Sequence, residues 1–165
     1  MATDTATFSD KRRPIDRFLG NYAEDHRNPV NQVVHWICVP PIVWTVVAFL
    51  WLVPVPGTWF QPGAWAGFAM VAALAFYLRL SRPLALAMLL VFVALGALTW
   101  WLHGVLGSRG LLWTAVAVFV LAWIGQFLGH QVEGRRPSFL TDLVYLLIGP
   151  LWLMSKLFRR LGWHY

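Results

Sequence analysis

Three long stretches of this 165-residue chain carry no Lys, Arg, Asp or Glu: Asn28 to Leu78, Pro83 to Ser108 and Gly110 to Val132. A membrane-spanning helix needs about 20 consecutive apolar residues, so each stretch has room for at least one. Inside a lipid layer every backbone N–H and C=O must find its partner within the protein, and helix meets that demand segment by segment. The chain is therefore read as all-α, a polytopic integral membrane helical bundle, forming one domain over 1–165 with residues 1–14 as a flexible tail. Only 12% of its residues are charged and 59% are hydrophobic, against about a quarter charged in a soluble domain.

Punctuation between the apolar runs predicts about four transmembrane helices. The first covers His35 to Val53, with Pro40 and Pro41 in its opening turns, where a missing amide donor costs least. VPVPGTWFQPG, from Val53 to Gly63, reads as a loop. A second span follows from Ala64 to Leu80, a tight turn through Arg79, Ser81, Arg82 and Pro83 leads to a third from Leu84 to Leu102, and after LHGVLGSRG a fourth runs from Leu111 to His130. The last apolar stretch, Phe139 to Phe158, is interrupted by Gly149 and Pro150. It is expected to form a proline-broken helix pair, re-entrant or interfacial, because a full crossing would carry Lys156, Arg159 and Arg160 to the wrong side.

Basic residues in short connections set orientation. Lys11, Arg12, Arg13, Arg17, Arg27, Arg79, Arg82, Arg135 and Arg136 would share one side, whereas only Arg109 would face the other. The amino terminus is thus expected in the cytoplasm. The net charge of +6 comes from these clusters at helix ends, which orient helices and meet lipid headgroups, and no nucleic-acid partner is implied. Polar residues follow the basic Lys11 to Arg13 run, so no cleavable signal peptide is expected. With Cys38 as its single cysteine, the chain forms no internal disulfide.

The same topology sorts the five histidines. His26 and His35 open the first span and His130 closes the fourth, so an even number of crossings returns them to one face, with Glu133 beside them. His103 falls on the opposite side and His164 in the tail. Asn31 and His35 share a face of a helix that Pro29 is well placed to begin, and Gln126, His130 and Glu133, spaced i, i+4, i+7, form one stripe. Ionisable groups at a membrane boundary are costly to bury and tend to be functional. Three neutral imidazoles and a carboxylate suit a borderline divalent metal, and an open coordination position makes such an ion catalytic. Glu133 has two readings here: a ligand, or a salt-bridge partner of Arg27, Arg135 or Arg136. The many tryptophans read as interfacial anchors.

Two residue sets carry a resemblance. Tyr22, His26, Asn28, Pro29, Asn31, His35 and Pro40 form one, and Trp123, Gln126, Gly129, His130, Glu133, Arg136, Pro137, Asp142 and Pro150 form the other. With them the chain resembles the family of small membrane proteins related to the fungal 2-hydroxy fatty acid dioxygenase of phytosphingosine breakdown, also widespread in bacteria. The resemblance implies an iron(II)-dependent oxygenase that takes one carbon from a 2-hydroxy fatty acid, with dioxygen as co-substrate and His26, His35 and His130 as ligands to Fe(2+). Glu133 is expected among the catalytic residues, although its spacing from His130 is one residue shorter than in the fungal enzyme, and Asn31, Gln126 and Asp142 are expected to support the ligands. Arg27, Arg135 or Arg136 would hold the substrate carboxylate. With the bacterial members as guide, the expected location is a bacterial inner membrane, the active site facing the cytoplasm. Two other readings compete: a membrane electron carrier with haem between His35 and His130, and a non-enzymatic lipid-binding protein.

Overall fold

The computed structural model describes residues 13–57, 60–136 and 144–165. The described residues form five α-helices and no strand: α1 (Pro14–Glu24), α2 (Pro29–Leu52), α3 (Ala64–Leu80), α4 (Arg82–Glu133) and α5 (Tyr145–Arg160). Two of them, α2 and α4, are long and apolar enough to cross a membrane. The expected tail, 1–14, lies almost wholly outside the described residues.

A helix the spans did not anticipate comes first. Pro14 opens α1, Asp16 supplies the acidic residue favoured in a first turn, and Ile15, Leu19 and Tyr22 bury one face at i, i+4, i+7 spacing. Helix α2 opens at Pro29, as expected for the helix carrying Asn31 and His35, so the helix begins before the expected span at His35. Asn28 caps that end, its side chain accepting from the Val30 amide at 2.9 Å, and Pro29 takes the first turn. Pro40 and Pro41 consequently stand in the helix interior. The second expected span coincides with α3. Ser81 ends that helix in extended geometry and caps the next one through Leu84.

No loop separates the third and fourth expected spans. Helical geometry runs through both and is interrupted only at Gly107, whose φ of 67° and ψ of 176° suit glycine alone. Straight, such a helix would hold Met88 and Gly129 about 60 Å apart. Both instead meet the amino-terminal half of α2, Met88 beside Val39 and Pro40 and Gly129 against Asn31 and Val34. Leu95 and Leu102 before the break join Leu111 and Ala115 after it in one cluster with Trp44 and Ala48. The chain therefore doubles back at Gly107, where His103 and Ser108 lie 3.0 Å apart across the reversal. His103 is thus at the end remote from His26, His35 and His130.

The carboxy-terminal segment differs from expectation as well. In place of a proline-broken pair, residues 145–160 are a single helix with Pro150 inside. Trp152 and Gly149 of α5 pack on Tyr22 of α1, and the Tyr77 hydroxyl of α3 donates to the Leu147 carbonyl at 2.8 Å. Residues from α1, α2, α3, α5 and the start of α4 thereby share one apolar cluster. It lies at the histidine end of the bundle.

Candidate metal centre

His26 follows α1, with its amide bonded to Ala23 and its ring stacked on Tyr22 at 4.1 Å between centroids. Its Nδ1 faces the Tyr22 carbonyl at 2.5 Å, so the proton sits there and Nε2 presents its lone pair. His35, in the second turn of α2, spans one helical turn back to the Asn31 carbonyl through Nδ1 at 2.8 Å. His130, near the end of α4, is held by a backbone hydrogen bond to Arg135. Fixing one ring nitrogen in this way leaves the other aimed as a ligand.

The structure brings these three rings together. Centroids are 4.3 Å apart for His26 and His35, 4.9 Å for His26 and His130, and 5.2 Å for His35 and His130. One nitrogen from each lies within 4.8 Å of the others, and all three residues are buried. Metal–nitrogen bonds of about 2.0–2.1 Å place ligand nitrogens roughly 3–4 Å apart, so a small contraction closes the set around an ion. Two atoms argue for one: His26 Nε2 and His130 Nδ1 are buried without any hydrogen-bond partner, a state that costs about 1–3 kcal/mol per group when nothing satisfies it. Burial also drives the His26 pKa down to about 4, leaving the ring neutral and able to donate a lone pair at neutral pH. Three imidazoles fit a borderline divalent cation such as Fe(2+).

The close approach of α2 and α4 depends on glycine. A Cβ on Gly129 would stand 2.6 Å from Asn31 Oδ1 and 3.0 Å from Val34 Cγ1, and one on Gly125 would stand 2.7 Å from Cys38 Sγ. Without side chains at these two positions the helices meet, and His35 and His130 face each other. Trp152 closes one flank, 5.4 Å from His26 and 6.3 Å from His35. A cavity of about 50 Å³ adjoins, lined by Tyr22, His35, Gln126, His130, Trp123 and Gly149 among others.

Glu133 stands outside the histidine group, and neither of its two expected engagements is the one observed. One carboxylate oxygen accepts from the Arg27 amide at 3.0 Å, the other from the Asn28 amide at 2.9 Å and from Asn31 Nδ2 at 3.0 Å. It clamps the end of α4 to the segment between His26 and α2. Arg135 pairs with Asp25 at 3.0 Å in a half-exposed bridge that ties the same two segments, while Arg27 and Arg136 lie exposed. Gln126 is buried on the cavity wall. Asp142 lies outside the described residues. Trp152 had no signal to distinguish it from ten other tryptophans, and Tyr22 contributes both its carbonyl to His26 Nδ1 and its ring, stacked on the same imidazole.

The family model described as 2-hydroxy-palmitic acid dioxygenase Mpo1-like matches residues 12–161, a range that holds every residue of this centre. The chain belongs to the Mpo1-like family. A Saccharomyces cerevisiae relative within reach of that Mpo1-like match, 2-hydroxy-palmitic acid dioxygenase MPO1, is 29% identical over 148 residues, covering 87% of this chain and 79% of the yeast protein. No solved structure matches this Mpo1-like chain.

Proposed function

We propose that this chain is a membrane-embedded, iron(II)-dependent dioxygenase that removes one carbon from 2-hydroxy fatty acids, with His26, His35 and His130 holding the metal. The observation that carries this reading is the convergence of three buried imidazoles, two with unpartnered nitrogens, in a member of the Mpo1-like family. A 2-hydroxy acid plus dioxygen gives the acid one carbon shorter, carbon dioxide and water. Those products account for every atom, and the four electrons released are the four that dioxygen accepts, so no further reductant enters. Iron bound there would supply a coordination site for the hydroxyl and carboxylate oxygens and a redox path to dioxygen.

The chain's own residues do the positioning. The Tyr22 and Asn31 carbonyls orient two imidazoles, and Glu133 holds the His26 segment against α4. Gln126 offers an amide beside His130 to the polar head of a substrate. Trp152 and Tyr22 keep bulk water from that flank. Arg27, Arg135 and Arg136, being exposed, suit first capture of a carboxylate at the surface. A haem between His35 and His130 finds no room in a cavity of about 50 Å³ with His26 packed against both rings.

The same proposal makes α2, α3 and the two arms of α4 four crossings, with α1 and α5 at a cytoplasmic face. Ile37, Val71, Leu90 and Leu121, one on each, are 65%, 66%, 72% and 69% exposed, which suits contact with lipid. Purified protein given iron(II), oxygen and 2-hydroxypalmitate is expected to yield pentadecanoate and carbon dioxide. His26→Ala, His35→Ala and His130→Ala are each expected to lose the metal and the turnover. Metal retained at one equivalent in all three variants, or no turnover at any chain length, would defeat the proposal.

A further inference from the structure

Val39, Val43 and Pro150 line the cavity beside the histidines and also border a second one, of about 160 Å³. This second cavity lies between α2, the first arm of α4 and α5. Every side chain around it is apolar, Met88, Val91, Leu95 and Leu153 among them. Helix-interior prolines from both facing helices, Pro40 and Pro150, border it. A proline ring sits where the backbone N–H would be and disturbs the helix a turn earlier, so close interdigitation is interrupted at that level. A space of this kind offers water no hydrogen-bond partners. Apolar material is what it can take.

Its direction is set by α2. His35 stands at the metal centre, and Trp36, Val39 and Val43 follow it along the helix, so the cavity reaches about 12 Å beyond the histidines at 1.5 Å per residue. Leu95, at its far end, also packs into the cluster around Trp44 and Ala48. A fatty acid in a bilayer keeps its carboxylate at the surface and its tail toward the middle. The two adjoining cavities, which share Val39, Val43 and Pro150, follow one another in that same sense.

The geometry points to the second cavity as the acyl-chain site, an inference that rests on the 2-hydroxy fatty acid reading above. The polar head lies beside His35, His130 and Gln126. The tail passes between Val39, Val43 and Pro150 and extends along Met88, Val91 and Leu95. Val91 and Leu95 then set the chain length accepted, and a substrate reaches the site from the lipid layer without turning over.

The test uses the full chain, loaded with iron(II), in lipid nanodiscs under argon so that nothing turns over. It is photolysed with 2-hydroxypalmitate carrying a diazirine at the terminal carbon. Labels are expected on the Met88–Leu95 and Leu153–Leu157 segments and should be competed by unlabelled 2-hydroxypalmitate, not by added diacyl phospholipid. Labels confined to lipid-facing Val71 and Leu121, or competed equally by phospholipid, overturn the site. Separately, Val91→Trp should move preference from 2-hydroxypalmitate toward 2-hydroxydecanoate by about tenfold with metal content unchanged, and Val91→Ala should move it the other way. An unchanged profile in both variants, with metal intact, overturns the tail site while sparing the proposed function. Cavity labelling without turnover of any 2-hydroxy acid overturns the oxygenase reading while sparing the cavity as a fatty acyl site.

Discussion

Glu133 concentrates on one carboxylate the hydrogen bonds that join the two halves of the centre, taking donors from Arg27, Asn28 and Asn31. Bonds to a charged acceptor contribute about 1.5–3 kcal/mol each where they are buried and less where, as at Arg27, they are exposed, and removing the acceptor leaves the amide of buried Asn31 without it. Glu133→Ala is therefore expected to lower the melting temperature and to weaken metal affinity about 10–100-fold, the range for groups that orient ligands from behind. Glu133→Gln should recover part of both, and Arg136→Ala should change neither. Calorimetry and competitive chelation read the two quantities, and undiminished affinity in the alanine variant would remove the clamp from the account. His26 brings a pH dependence. Its ordinary pKa of 6.5 falls to about 4 in the folded chain because burial disfavours the charged ring. Above 6.5 both states are neutral; as pH falls the unfolded chain takes the proton first, so stability is lost until the folded ring protonates near 4. The metal-free protein should show a melting temperature that declines through that window, less steeply in His26→Gln.

At the scale of helices, the contact of α2 with the second arm of α4 decides whether there is a centre at all. Gly129→Ala places a methyl carbon 2.6 Å from Asn31 Oδ1. Overpacking of this kind costs about 1–3 kcal/mol. We expect a lower melting temperature together with reduced iron content, and normal iron in the variant would mean that the helices need not approach so closely. The elements differ in how far their sequence revealed them. The bounds of α3 follow from the loop before it and Ser81 after it. The start of α2 was legible in Pro29, and Asn28 caps it, whereas Pro40 and Pro41 made the apolar span look shorter than the helix that carries it. Helix α1 escaped notice because it is 11 residues long with an amphipathic face, invisible to a search for continuous apolar runs. Gly107 had no distinction in sequence from its neighbours Gly104 and Gly110, and only its positive φ marks it as the reversal.

For the molecule as a whole, the gathering of His26, His35 and His130 was legible because parity of crossings needs only the order of apolar runs. Trp152 and the engagement of Glu133 were not, since both depend on the path of short connections that no periodicity records. The topology we propose is tested by fusions: a fluorescent protein after Tyr165 should be bright in cells, and alkaline phosphatase joined at Gly107 should be active while the same enzyme joined at Tyr165 is silent. Reversed activities would invert the membrane orientation. One consequence concerns charge. The imidazoles of His26 and His35 lean on backbone carbonyls, and the two nearby carboxylates among the described residues are engaged elsewhere, Glu133 with N–H donors and Asp25 with Arg135. A divalent ion held by three neutral ligands keeps both of its positive charges in a buried place, where uncompensated charge is expensive. An anionic chelating substrate is then the counter-ion that the site lacks, so metal and substrate should each bind more tightly in the presence of the other.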